Sequence, residues 1–132
     1  MLQFNGRNIT SEFDLLRVKV QAMDFIKPLK FEKTDQEKLG DLIFELTKEL
    51  IFKQTNSFIS LNIYKLERKK GLEINVLTSQ FNVEKTQEVI KNNYNLAKKG
   101  ISLDKNAGFL DEFDLRPDIK SGTEIRIMKW LK

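Results

Sequence analysis

The stretch SFISLNIYKLERKKGLEINV, residues 57–76, decides the fold. Its apolar side chains recur at every second position, at Ile59, Leu61 and Ile63 and again at Leu72, Ile74 and Val76. A period of two is typical of β-strands with one buried face. The charged segment from Glu67 to Gly71 separates the two runs and is predicted to be a turn. The stretch therefore predicts a β-hairpin with a longer loop.

Two helices are predicted before this hairpin. Ser11, followed three residues later by Asp14, has the spacing of a capping box, and Pro28 is expected to end the first helix. Its apolar residues at helical spacing are Leu16, Val20 and Met23. A second capping box is predicted at residues 34–37, where Thr34 precedes Glu37. The second helix carries one apolar stripe, made of Leu39, Leu42, Ile43, Leu46 and Leu50, and its solvent side is predicted to carry Lys38, Lys48 and Lys53.

The remaining elements are placed more coarsely. The predictions are a first strand from Leu2 to Ile9, a helix from Val83 to Ala97, a short helix near Asp104 to Asp111, and a final hairpin made of Phe113 to Leu115, a turn with Pro117 and Gly122, and Glu124 to Trp130. Two strand pairs separated by helices favour helices packed on one sheet face. We therefore expect an α/β fold, a two-layer α/β sandwich with a mixed, mostly antiparallel sheet. The length of 132 residues suits a single domain over 1–132.

Composition excludes many functions. The chain contains no cysteine and no histidine, which removes disulfides, thiol catalysis, histidine triads and imidazole metal sites; no metal site is predicted. No apolar run approaches the roughly 20 residues that span a bilayer, and the first residues do not resemble a signal peptide. A cytoplasmic location without membrane contact is therefore expected.

The charge pattern gives no support for nucleic-acid binding. The net charge is +4, but the 23 cations are interspersed with 19 acids. The longest basic run, Arg68 to Lys70, directly follows Glu67. A nucleic-acid interface needs cations clustered on one face, so no nucleic-acid partner is predicted.

Several segments, in order, resemble a known family. They are Ser11 to Asp14, Thr34 to Gln36, Phe44 to Lys48, Lys69 to Ile74, Leu110 to Phe113, Gly122 to Ile125 and Lys129 to Leu131. Their order and spacing resemble the RsbT type of the serine/threonine switch kinases and anti-sigma kinases of Gram-positive stress and sporulation pathways. These kinases belong to the GHKL ATPase superfamily, which includes the histidine kinases. The resemblance implies the histidine-kinase-like ATPase fold.

The resemblance also implies where an ATP site would lie. In the family, a helix glutamate acts as the general base, and an asparagine four residues later binds magnesium. Here Glu45 holds the first position, and Glu49 replaces the asparagine. A four-residue step places both side chains on one helix face. A carboxylate can ligate magnesium, but Glu49 adds a negative charge beside a triphosphate.

Two further motifs of the family are altered here. An Asp-x-Gly-x-Gly pattern in the family holds adenine, and its glycines allow the backbone to approach the base. Thr78, Gln80 and Asn82 stand at these positions. The glycine-rich lid that cradles phosphates is reduced to Gly100, preceded by the doublet at 98–99. We therefore expect Glu45, Glu49, Thr78 and Gly100 to be vestigial ATP and magnesium positions and expect no cofactor.

Three functional hypotheses follow. The first is a non-catalytic relative that acts as a protein-binding regulatory module, with a STAS-domain protein, a sigma factor or a phosphatase as its partner. Its contact surface would include the old lid, where Lys98, Lys99, Ile101, Leu103 and Phe109 lie. The alternative is an active ATP- and magnesium-dependent serine/threonine kinase with an atypical nucleotide site. The third is a differently specialised domain, which binds either another small ligand in the old pocket or nucleic acid. The sequence leaves open whether the protein forms a homo-oligomer.

Overall fold

A computed structural model describes residues 1–78, 111–118 and 122–131 of the chain. Its helices and strands are β1 (Leu2–Asn5), α1 (Glu12–Ile26), α2 (Lys33–Leu46), β2 (Phe58–Leu66), β3 (Lys69–Thr78), β4 (Glu112–Asp118) and β5 (Gly122–Trp130). Short 3₁₀ turns occur at Gly6–Asn8 and Lys27–Leu29, and a π-helical turn, Thr47–Ile51, follows α2. The helix predicted at Val83 to Ala97 and nearly all of the short helix predicted at Asp104 to Asp111 lie outside the described residues.

The described strands form one sheet in the order β1-β2-β3-β5-β4, and each neighbouring pair is antiparallel. Ile59 lies opposite Val76, and Ile74 lies opposite Ile127, so these side chains share one face. That face and the two helices form a single buried core. The predicted fold class, a two-layer α/β sandwich with helices on one face, is confirmed.

Helix α1 faces the core with a different side from the one predicted. Leu16 and Val20 are 53% and 60% exposed. The buried positions are Leu15, Val18, Ala22 and Ile26. Both sets have helical spacing, and periodicity does not tell which of them packs on the sheet. The inward set includes a small side chain, Ala22, which allows close packing, and the outward set leaves Phe13, 84% exposed, beside Leu16 and Val20.

The capping box at the start of α1 is confirmed. Ser11 is the N-cap, and its hydroxyl accepts a hydrogen bond from the N–H of Asp14 at 3.2 Å. In return the carboxylate of Asp14 accepts bonds from the backbone N–H groups of Thr10, at 3.0 Å, and Ser11, at 3.1 Å. The bond from the Thr10 backbone is the largest of the effects that hold the pKa of Asp14 below its ordinary value; the bonds from Ser11 and the charge of Arg17 add to it.

This capping box predicts a dependence of stability on pH. Because the pKa of Asp14 is lowered in the folded state, its stabilisation is fully present above the unfolded value of about 3.9 and is lost as pH falls through the lower folded value. The free energy of unfolding, measured with denaturant at pH 5 and at pH 3, should fall less between these two pH values in Asp14→Asn than in the native chain. Asp24→Asn, at an exposed aspartate of the same helix, is the control and should leave that fall unchanged; an equal effect of both variants would contradict the prediction.

Helix α2 begins earlier than predicted, and the expected capping box at Thr34 is wrong. The N-cap is Glu32, which makes no side-chain capping bond, and Thr34 lies inside the helix. The first turn of α2 is instead tied to the preceding residues, because the side-chain amide of Gln36 donates a hydrogen bond to the carbonyl of the buried Phe31 at 2.8 Å. The predicted apolar stripe is confirmed: Leu39, Leu42, Ile43, Leu46 and Leu50 are all at most 1% exposed.

The central hairpin is tighter than predicted. Leu66 pairs with Lys69, so the turn contains two residues, and its first, Glu67, adopts a positive φ of 54°. Gly71, which was assigned to the turn, lies within β3. There it admits the ring of Trp130, because a Cβ at this position would lie 2.6 Å from Cε3 of that ring. The glycine therefore serves packing between strands and not the turn.

The edges of the described sheet also differ from prediction. The first strand ends at Asn5 because the chain turns into a 3₁₀ helix at Gly6, where the backbone N–H bonds to the carbonyl of Ser57 at 2.8 Å. At the other edge, β4 extends to Asp118 and includes Pro117, which was assigned to a turn. Proline is tolerated on an edge strand because its missing N–H can face away from the neighbour.

Candidate functional site

The site that the sequence predicts is built around the end of α2. There the helix widens, since the backbone N–H of Phe52 bonds to the carbonyl of Thr47, five residues earlier, at 2.8 Å. The hydroxyl of Thr47 is fully buried and donates to the carbonyl of Ile43 at 2.6 Å. Single π-helical turns are rare and occur frequently at functional sites. The end of α2 is therefore a candidate functional region.

The two predicted carboxylates lie on either side of the start of this turn. Glu45 belongs to α2 and Glu49 to the π-helical turn, and both are half-buried. Four residues make about one turn in either helix type, so the two side chains follow one another along the same face. Like charges at this spacing repel each other in the absence of a cation. The arrangement suits either a solvated acidic face or a position near bound magnesium.

The third predicted position, Thr78, lies at the end of β3 next to the same turn. Its side chain is fully buried, and its hydroxyl donates a hydrogen bond to the carbonyl of Leu50 at 2.8 Å. Carbonyls in the last turn of a helix lack the regular intrahelical partner, so this bond satisfies a group that would otherwise be left unpaired. The structure thus places Thr78 beside the turn that carries Glu49. The hydroxyl hydrogen of Thr78 is taken up by a bond that stabilises the fold.

The rest of the predicted site lies outside the described residues. This applies to Gly100, to Gln80 and Asn82 at the altered adenine motif, and to the lid residues at 98–109. In the part of the chain that the structure describes, no three or more acidic side chains form a cluster that could hold a metal ion. None of the described helices is long and apolar enough to cross a membrane.

Sequence reasoning missed a charged cluster on the sheet face opposite the helices. Glu73 on β3 is only 5% exposed, and its carboxylate accepts bonds from Nε of Arg126 at 2.5 Å and from the amide of Asn75 at 2.6 Å. The hydrogen bond that Arg126 donates to Glu73 is the main cause that raises the pKa of Arg126. Arg126 also lies 3.8 Å from Glu112. The only sequence signal was a glutamate between apolar neighbours in β3, which the alternation assigns to the outer face.

Comparison with known proteins finds a relative of similar length. The chain is 25% identical over 125 residues to a protein of Bacillus subtilis (strain 168) named serine/threonine-protein kinase RsbT. The aligned region covers 94% of this chain and 94% of that protein. No protein-family model matches the sequence. The similarity thus extends over nearly the full length of both chains and agrees with the RsbT-like resemblance of the individual segments.

Proposed function

We propose that this chain is a non-catalytic, RsbT-like regulatory domain that binds another protein in a bacterial partner-switching pathway of stress or sporulation signalling. The observation that carries the proposal is the full-length similarity to RsbT. It is supported by Thr78, which stands where the resemblance expects the adenine-binding aspartate. A carboxylate there would accept a charge-assisted hydrogen bond from the adenine amino group, whereas a hydroxyl offers a neutral and weaker one. The hydrogen bond from Thr78 to Leu50 supports a structural use of this side chain.

The neighbouring positions add to this argument. Gln80 and Asn82 carry side chains where the resemblance calls for glycines, so a nucleotide base would meet side-chain atoms in place of bare backbone. Glu49 adds a second negative charge beside Glu45 on the helix face that would meet the phosphates. Each change weakens nucleotide binding by a different physical route, and together they favour loss of the activity. The partners that fit this proposal are a STAS-domain protein, a sigma factor or a phosphatase, in the cytoplasm.

We expect no nucleotide binding. A ligand present at 100 times its Kd stabilises a folded domain by about 2.7 kcal/mol, which raises the melting temperature by several degrees. Thermal unfolding with millimolar magnesium-ATP or magnesium-ADP should therefore leave the melting temperature of this chain unchanged, with RsbT of Bacillus subtilis as the positive control. Incubation with labelled ATP should transfer no phosphate to a STAS-domain protein. Stabilisation by ATP together with phosphoryl transfer that Glu45→Gln abolishes would overturn the proposal.

The second candidate is an active ATP- and magnesium-dependent serine/threonine kinase. The observation that favours it is that Glu45, which the resemblance places at the position of the general base, lies half-buried near the end of α2. In this case Glu49 would ligate magnesium, and the cation would neutralise the repulsion between the two carboxylates. Glu49→Asn would then preserve activity, because an amide oxygen also ligates magnesium. The same thermal and labelling experiments distinguish the two candidates.

A further inference from the structure

Strand β1 is an edge of the described sheet, and it pairs with β2 alone. The bond from the N–H of Gly6 to the carbonyl of Ser57 fixes which residues of β1 face that neighbour, since bonded and non-bonded pairs alternate in an antiparallel ladder. Leu2 and Phe4 therefore use their backbone groups in the ladder. The N–H and C=O of Gln3 and the N–H of Asn5 point away from β2, and no strand of the described residues pairs with them.

A groove of about 250 Å³ runs beside this edge, between β1, the 3₁₀ turn and α1. Its floor is apolar because the buried side chains of Ile9 and Val18 lie there. Its polar lining comes from Gln3, Asn8, Arg17 and Gln21. Arg17 is already neutralised by Asp14, whose carboxylate oxygen lies 2.6 Å from the guanidinium. The groove therefore has an apolar floor and a polar rim. Among the residues that line it, the one cation is Arg17, which forms an ion pair with Asp14.

The amide side chains of the rim have unused hydrogen-bonding capacity. The side-chain amides of Gln3, Asn8 and Gln21 have no hydrogen-bond partner among residues 1–78, 111–118 and 122–131, whereas the side chain of Asn5 accepts a bond from the N–H of Arg7 at 3.0 Å. A carboxamide has both a donor and an acceptor, as a peptide group does. The open strand edge offers the same pair of groups at Gln3. Backbone edge and rim are thus complementary to one kind of ligand, an extended polypeptide backbone.

We propose that an extended, uncharged peptide segment of a partner protein adds to β1 as a further strand and lies in this groove. Its backbone bonds to Gln3 and Asn5, and its inward side chains are small and apolar, because they rest on Ile9 and Val18. Addition of a strand to an exposed sheet edge is an established mode of peptide recognition, in which main-chain bonds supply affinity and a flanking pocket supplies selectivity. The inference deepens the proposed function and rests on it, since it names the surface and the chemistry through which the partner binds.

The test is a single substitution at the open edge. Gln3→Pro removes the N–H that points away from the sheet and leaves the ladder with β2 intact, while Gln3→Ala keeps that N–H and is the matched control. The probe is a synthetic peptide selected on the native chain from a phage-displayed library of random seven-residue sequences. Fluorescence anisotropy should show at least a tenfold loss of affinity for Gln3→Pro and less than a twofold loss for Gln3→Ala. Melting temperatures report whether each variant folds.

Two further measurements keep the test decisive if Gln3→Pro does not fold. Gln21→Arg fills the groove from α1 and should cause a similar loss of affinity. Amide hydrogen exchange with saturating peptide should newly protect Gln3 and Asn5, whereas Phe4, already bonded in the ladder, should change little. A library that yields no binding peptide, a peptide that binds Gln3→Pro as well as the native chain, or protection confined to other residues would overturn the proposal.

The remaining outcomes separate this proposal from alternative occupants and from the proposed function. If light scattering shows a dimer that Gln3→Pro dissociates, the occupant of the edge is a second copy and the proposal is wrong. If capture of a STAS-domain protein is weakened by Lys98→Glu with Lys99→Glu but not by Gln3→Pro, the contact lies at the old lid, and only the edge proposal fails. The proposed function itself fails on a different measurement, which is phosphoryl transfer from ATP.

Discussion

Replacing Leu46 by alanine is expected to lower the free energy of unfolding by about 2–5 kcal/mol. Leu46 lies in the last turn of α2, is fully buried, and belongs to the core cluster shared by both helices and the sheet. The substitution removes buried methyl groups and leaves a cavity that the surrounding strands fill only in part. Chemical denaturation monitored by circular dichroism measures the loss.

Leu16→Ala is the matched control for this substitution. It makes the same chemical change on a helix, but Leu16 lies on the solvent side of α1 with 53% of its surface exposed. Surface substitutions usually change stability by at most about 0.5 kcal/mol, and alanine is the better helix former. Equal destabilisation by the two variants would mean that the orientation of α1 in the structure is wrong.

Replacing Gly6 by alanine is expected to destabilise the fold by about 3 kcal/mol or more, at the upper end of the usual cost of overpacking. Gly6 is buried at the junction of β1 and the following turn. A Cβ at this position would approach the backbone carbonyl oxygens of Ile51 and Gln54 more closely than the 3.0 Å limit that real Cβ atoms observe. Backbone atoms cannot rotate away as a side chain does, so the loop after α2 would have to move. The hydrogen bond from Gly6 to Ser57 would be strained by the same movement.

Gly40→Ala provides the comparison for this substitution. A Cβ at Gly40 would lie 2.6 Å from Sδ of Met23, the flexible end of a half-buried side chain, which can change rotamer. Gly40 lies in the interior of α2, where alanine is favoured over glycine by about 1 kcal/mol. We therefore expect a small net effect for Gly40→Ala, measured by the same denaturation. A Gly6→Ala variant as stable as Gly40→Ala would show that the junction of β1 with the loop is not tightly packed.

The sequence predicted only part of the geometry around the candidate site. The spacing of Glu45 and Glu49 placed them on one helix face, because helical geometry relates residues four apart without reference to the rest of the fold. The bond from Thr78 to Leu50 joins residues 28 positions apart, so no local sequence pattern predicts it. The π-helical turn was not predicted either, since Thr47 to Ile51 has no distinctive composition.

The sequence by itself determined the elements whose signals are local. The alternation of apolar residues from 57 to 76 is sufficient to predict the hairpin. The five-residue apolar stripe predicts the buried face of α2, and the spacing of Ser11 and Asp14 predicts where α1 begins. Each signal depends only on residues that are close in sequence, within one or two turns of a helix or at alternate positions of a strand.

The tertiary structure alone decided which face of α1 is buried, that Gly71 faces Trp130, and that Arg126 meets Glu73, a partner 53 positions away. It also decided that β1 lies at the edge of the described sheet, beside a groove. The physical reason is the same in each case. These features depend on which elements pack against one another, and the free energy that selects among such packings comes from burial summed over distant residues.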